Sequence, residues 1–266
     1  MNLLAARVAL RERKLADVLD LALPLCMSNR GPLGVIALWV LGPTAGLAAW
    51  LRIARHWQWP ALWCVVLEAS FLAEGAFTAA LGELLFREAS EVSPRAVLRG
   101  WLGRLGAYLR VVVGRQLLLA ISLVLVIVPF VQGPQTLFVG EALLLERGTP
   151  ATAWARSRGL ARNRGPFCLG LWLATLAMPV LGAFAADQIG NAVIGFALQL
   201  GRPTGDLLAQ GGSGFAVAGA LLAAPIAAAA RFLGYVDLRT RKEGWDIQLR
   251  FVALSTGRGQ RERRAA

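Results

Sequence analysis

Apolar residues along this chain come in long blocks rather than in the short periodic stretches of a water-soluble fold. Gly31–Leu51 carries no charge and meets the roughly 20 apolar residues that a helix needs to cross a hydrocarbon core about 30 Å thick. Trp59–Phe86 is long enough but includes Glu68, Glu74 and Glu83; Pro166–Ala186 is again uncharged; Ser213–Ala230, rich in Ala and Gly, ends at Arg231. Gln116–Glu146 holds no Lys or Arg, yet Pro129 and Gly133-Pro134 interrupt it, and both favour a turn over continuous helix. That pattern predicts a hairpin with a second arm thin for a full crossing, the first arm lengthening back to Leu105 if Arg110 and Arg115 snorkel toward headgroups. The sum is an all-α polytopic bundle of about six membrane segments, one of them a short Pro-broken hairpin.

Charge then orients the bundle. Twenty-five of the 28 Lys and Arg flank the segments on one side: before the first span, between Arg87 and Arg115, between Arg147 and Arg164, and from Arg231 onward. Only Arg52, Arg55 and Arg202 fall on the other. The positive-inside bias therefore predicts both termini in the cytoplasm. The expected organisation is a cytoplasmic amphipathic segment over 1–30, a membrane domain over 31–235 with basic loops at 87–115 and 147–165, and a basic tail over 236–266. Opposite the basic side, Trp50, Trp57, Trp59 and Trp63 suit an aromatic belt, and 187–212 forms a longer outer stretch with its apolar run at 193–200 near the interface. No signal peptide is expected, because Arg7, Arg11, Arg13 and Lys14 precede any long apolar run.

Two cytoplasmic pieces look amphipathic. Leu15, Val18, Leu19, Ala22 and Leu25 follow helical spacing. Thr149-Pro150 opens a second helix, with Thr as N-cap and Pro at the first helical position, carrying Trp154 and Leu160 among Arg156, Arg158, Arg162 and Arg164. Both are expected to lie on the membrane surface, and the tail 255–266 to be disordered.

Composition agrees with the blocks. The chain is 56% hydrophobic and 17% charged, where soluble domains carry about 45–50% and roughly 25%. Three widely spaced cysteines, Cys26, Cys64 and Cys168, indicate neither a disulfide framework nor a zinc site. With one histidine, His56, no histidine pair can exist; phosphate-loop, dinucleotide and nucleophile-elbow motifs are missing. No cofactor or catalytic residue is therefore expected. The net charge of +12 sits beside spans, where attraction to anionic lipid headgroups explains it more simply than nucleic acid does.

Ionisable groups inside spans are costly, and function is the default hypothesis for one. Glu83 pairs with Arg87 by helical spacing. Glu68 and Glu74 stand about 240° apart on the helix wheel and do not share a face; Glu141 falls in the short hairpin arm. Depth arithmetic along consecutive helices predicts a Glu74–Arg115 ion pair, direct or through one water or hydroxyl; the competitor is a snorkelling Arg115 with a protonated Glu74 bonded to Ser122 or Thr175. Gly42 and Gly46 form a GxxxG in the first span, and Gly219 to Ala230 line the last with small residues, which favours tight packing. Pro43, Pro179 and Pro225 interrupt spans in a way that fits either kinked packing or a transport site.

Three stretches carry a resemblance: Leu15-Ala16-Asp17-Val18-Leu19-Asp20; Glu146 followed by Ala153-Trp154-Ala155-Arg156-Ser157-Arg158-Gly159-Leu160; and Tyr235-Val236-Asp237-Leu238-Arg239-Thr240-Arg241-Lys242-Glu243-Gly244-Trp245-Asp246. Together they are similar to a family of multi-pass bacterial membrane proteins that includes the membrane domain found with some glycerophosphodiester phosphodiesterases. The chain departs from it at Val128-Pro129-Phe130, where the family has Pro-Gly, and no phosphodiesterase domain follows. The resemblance implies a helical protein of the bacterial inner membrane and singles out Glu146, Arg156, Ser157, Asp237, Arg239, Arg241, Glu243 and Asp246. It carries no catalytic residue across. These readings predict a non-catalytic accessory or scaffold subunit of an envelope complex, with other membrane or envelope proteins as partners. The alternatives are a small transporter using Glu68, Glu74 or Glu141 and, more distantly, an intramembrane enzyme acting on lipid. Two readings stand side by side for the second and third motifs: they meet, their acids Glu146, Asp237, Glu243 or Asp246 neutralising some of Arg156, Arg158, Arg239 and Arg241, or each basic group simply faces lipid headgroups.

Overall fold

The computed structural model describes residues 14–85, 87, 89–197, 199 and 205–243, with the side chains of Ala197 and Glu243 left out. Asp246, Arg202 and the tail 255–266 lie outside the described residues, as do parts of the 193–200 run.

The long apolar blocks are helices. Among the described residues five are long and apolar enough to cross a membrane: α2 (Arg30–Ile53), α3 (Trp59–Leu84), α5 (Leu105–Ser122), α9 (Gly165–Ala192) and α11 (Gly214–Glu243). The broken arm of the hairpin is two short helices, α6 (Val128–Thr136) and α7 (Val139–Leu145). The join is held from outside: buried Ser157 donates to the Gln135 carbonyl at 2.7 Å and accepts from the Phe138 amide at 3.2 Å. Groups freed where the helix breaks thus regain partners, which burial away from water requires. Gly133 lets α6 lie against Trp172 of α9, since a Cβ there would run into the indole. The turn between α5 and α6, Leu123–Ile127, is wholly apolar and 64–84% exposed, a surface suited to lipid.

Shorter helices gather at the Arg-rich end: α1 (Leu15–Ser28), α4 (Pro94–Leu102) and α8 (Pro150–Ala161). Thr149 caps α8 as its residue type predicts, its hydroxyl accepting from the Thr152 amide, with Pro150 in the first turn. Neither amphipathic helix turns its apolar face to lipid alone, which corrects the surface placement. Val18 and Ala22 of α1 are fully buried and Cys26 reaches the Pro225 carbonyl of α11 at 3.4 Å. Ala153, Ser157 and Leu160 of α8 are buried against the hairpin arm. The protein surface offers these faces denser packing than headgroups can.

The tightest crossing lies between α9 and α11. A Cβ on Gly182 would stand 2.6 Å from the Gly219 carbonyl oxygen, and one on Gly219 would strike the Gly182 carbonyl. The GxxxG of α2 does not serve this purpose, because Gly46 faces open space and Gly42 meets only its own helix. At the end opposite the Arg-rich loops, β1 (Gly205–Asp206) and β2 (Gly212–Ser213) pair antiparallel around the single-turn α10 (Leu207–Gln210). Asp187 of α9 anchors this turn. Its buried carboxylate accepts from Ser213 Oγ, from Asn191 at 3.0 Å and from the Leu207 amide at 3.3 Å. Trp59, expected in an aromatic belt, instead fills the space under Gly212 and is 7% exposed.

Candidate functional site

The charged core is built by three helices that meet at Arg231. Although it follows the Ala-rich block of the last span, Arg231 does not flank that span. Helix α11 runs on to Glu243, so Arg231 lies about 26 Å along it at 1.5 Å per residue and is 5% exposed. Helix α3 runs the same way, and Glu74 lies about 22 Å along it by the same rise. The two meet: Arg231 Nη1 stands 2.5 Å from Glu74 Oε2, and its Nε donates to Glu141 Oε1 of α7 at 3.0 Å. A guanidinium presents planar forked donors, so one side chain ties α3, α7 and α11 together.

Two carboxylates on one arginine would leave net negative charge in the interior, and Arg115 of α5 restores the balance. It is half-buried beside the cluster, its guanidinium 5.6 Å from the Phe71 ring. Direct pairing of Arg115 with Glu74 does not occur, however, and Arg115 Nε has no hydrogen-bond partner. Depth arithmetic put Arg115 at the right level; it could not tell which face of α5 the side chain leaves from, nor that Arg231 stood nearer. Tyr108 closes the cluster, packed over Gly75 and Gly140 and donating to the Phe71 carbonyl at 3.0 Å. The remaining cavity, lined by Phe71, Glu74, Tyr108, Arg115, Glu141 and Arg231 among others, measures about 10 Å³. A single water needs roughly 10–15 Å³.

Glu68 stands apart. It is exposed on the outside of α3, about 14 Å from the start of a helix about 39 Å long, and no ion pair reaches it among the described residues. Glu83 makes the expected i,i+4 pair with Arg87 at 3.3 Å.

A second cluster joins the two family-like motifs, as the first of the two readings has it. Glu146, just beyond α7, accepts from Arg156 Nε at 2.9 Å and from the Tyr235 hydroxyl at 2.5 Å, with Arg239 at 3.7 Å. Partial burial alone pushes the Glu146 carboxyl up; the bonds from Tyr235 and Arg156 and the charge of Arg239 outweigh it and hold the group below its ordinary value. Asp237 accepts from Arg241 at 2.8 Å one turn along α11, Lys242 donates to the Gly159 carbonyl of α8, and Arg158 lies over Trp154. Arg104 donates to the carbonyls of Leu143 and Arg147 at 2.7 and 2.8 Å, covering the C-terminal end of α7 where cations are favoured. The signature from Tyr235 to Glu243 is therefore not a detached tail but the last turns of α11.

Arg231 was the decisive residue missed in the sequence. A signal existed, since the apolar run continues past it through Phe232-Leu233-Gly234-Tyr235-Val236. Asp187, read as the start of an outer loop, gave none.

The chain is a multi-pass membrane protein with a helical bundle closed around paired charges. Among the described residues no group of three or more His, Cys, Asp or Glu could hold a metal ion. Comparison with family models, curated proteins and solved structures finds no match to this chain.

Proposed function

We propose that this chain is a non-catalytic accessory or scaffold subunit of the bacterial inner membrane, working in an envelope-associated complex. Its Arg-rich loops face anionic headgroups, and the resemblance to the phosphodiesterase-associated membrane domains supports the same placement. The observation that carries the reading is closure of the charged core. Glu74 and Glu141 both bind Arg231, and the cavity beside them, about 10 Å³, leaves room among the described residues for about one water. A carrier would instead present a cavity near the midplane that opens to one side.

Glu68 indicates where a partner would sit. A charged group left unpaired on the lipid face of a span is costly, approaching roughly 2.5–3.5 kcal/mol at the centre, and a cationic side chain on a neighbouring transmembrane helix would offset it. Cys64, exposed and one turn away, is a native handle for the test. A thiol-to-amine cross-linker applied to native membranes should give one discrete adduct with a second membrane protein through Cys64, and Glu68→Gln should weaken it several-fold. No adduct at any linker length, together with proton flux in proteoliposomes that Glu74→Gln or Glu141→Gln abolishes, would replace the scaffold with a transporter.

A further inference from the structure

At the end of the bundle opposite the Arg-rich loops, a cleft of about 680 Å³ opens between α2, α3 and α11, within the range of about 300–1,000 Å³ typical of ligand pockets. Its lining divides by depth. Toward the middle of the bundle the walls are apolar: Ala45 and Ala48 on α2, Leu62 on α3, Val217 and Ala218 on α11. Toward the helix ends they are polar, with Arg52, His56 and Gln210. Among the described residues no carboxylate lines the cleft.

Local structure holds the cation in place. His56 adopts a left-handed conformation, φ 53°, which turns the chain at the end of α2 and lets the Trp57 amide donate to the Leu51 carbonyl at 3.1 Å. The Trp57 carbonyl then accepts from Arg52 Nη1 at 3.2 Å, and the guanidinium lies over the Trp59 ring, 4.9 Å from its centroid. A guanidinium has five N–H donors. Among the described residues only one of them is used and no acid pairs with Arg52. Trp59 also lines the cleft, and its indole N–H is buried without a hydrogen-bond partner. Buried donors in folded proteins are nearly always hydrogen-bonded, and no group among the described residues accepts from this one.

We propose that the cleft binds one anionic phospholipid of the surrounding bilayer, its phosphate on Arg52 and one acyl chain along the alanine wall. The division matches an amphiphile: among the described lining residues, one guanidinium where the headgroups lie, and side chains too small to fill the space where the tails lie. The Trp59 ring beside it and the Trp57 carbonyl hold the guanidinium at the cleft, and its forked donors suit phosphate oxygens.

The test uses the purified full chain in detergent, stripped of lipid, titrated with dioleoyl phosphatidylglycerol or dioleoyl phosphatidylcholine and read by native mass spectrometry. One phosphatidylglycerol should bind with a preference of about tenfold, the weight of one charge-assisted hydrogen bond. Arg52→Gln should erase the preference and Arg52→Lys keep most of it. Ala45→Phe and Ala218→Phe, from opposite walls and at exposed positions, should each weaken both lipids while leaving the melting temperature of the apo protein unchanged. A preference that survives Arg52→Gln overturns the phosphate assignment. Binding unaffected by either phenylalanine, or competition by inorganic phosphate alone, overturns the acyl-chain assignment. Should one phenylalanine variant fail to fold, the other decides.

Discussion

Replacing Arg231 with methionine keeps most of the side chain's bulk and deletes its charge. Glu74 at 2.5 Å and Glu141 at 3.0 Å both lose their partner, and the balanced set of two acids and two arginines acquires net negative charge in a buried site. Removing one member of a buried ion pair costs about 3–5 kcal/mol, because the remaining charge is left uncompensated. Two carboxylates are orphaned here, which argues for the upper part of that range, with Arg115 offsetting a share from its place beside the cluster. Against a typical stability of about 5–15 kcal/mol, such a loss takes a large fraction of the total. Unfolding in mixed detergent micelles, followed by tryptophan fluorescence, measures it. Adding Glu74→Gln alone to Arg231→Met should recover more of the loss than adding Glu74→Gln and Glu141→Gln together, since the single change leaves Glu141 against Arg115 and a neutral cluster, whereas the double change strands Arg115. Arg115→Met, which breaks no direct ion pair, should cost less than Arg231→Met. The reasoning fails if Arg231→Met lies within about 0.5 kcal/mol of wild type, the range of an ordinary surface substitution. It fails equally if Arg115→Met is the worse of the two.

Three other outcomes are expected. Gly219→Ala should destabilise by about 1–3 kcal/mol, the usual size of core overpacking, because its Cβ meets the backbone carbonyl of Gly182 rather than a movable side chain; thermal melting in detergent checks this. Glu146 is held below its ordinary value, so the stability it adds is complete above that value, near 4.5, and is lost as pH falls through the lowered one; Glu146→Gln should flatten this part of the acid limb of the melting profile. In a cysteine-free background, a cysteine at Gln58 should react with an impermeant maleimide in whole cells and one at Arg158 should not; the reverse pattern would invert the topology.

Much of this architecture is local and can be read along the chain. Uncharged apolar blocks become long helices because in hydrocarbon the backbone must bond to itself. Thr149-Pro150 starts α8 because a side-chain acceptor and a fixed φ suit the first turn of any helix. Glu83 finds Arg87 because spacing within one helix sets the distance between them. The meeting of Glu146 with Arg156 and Arg239 was also legible, since the two motifs share one end of the bundle. What the chain could not reveal is which face of each helix turns inward, and in what rotation. Glu74 and Glu68 occupy one helix and have one chemistry, yet α11 and α7 cover the first and leave the second outside. Arg115 and Arg231 were both at suitable depths for Glu74, and the choice between them fell to the crossing of α3 with α11 rather than to depth. The contact of Gly182 with Gly219, the closure of α6 and α7 by Ser157, and the placing of Arg52 over Trp59 are of the same kind. Each depends on packing between segments remote in sequence, where an error of one residue in helix rotation swings a side chain by about 100°.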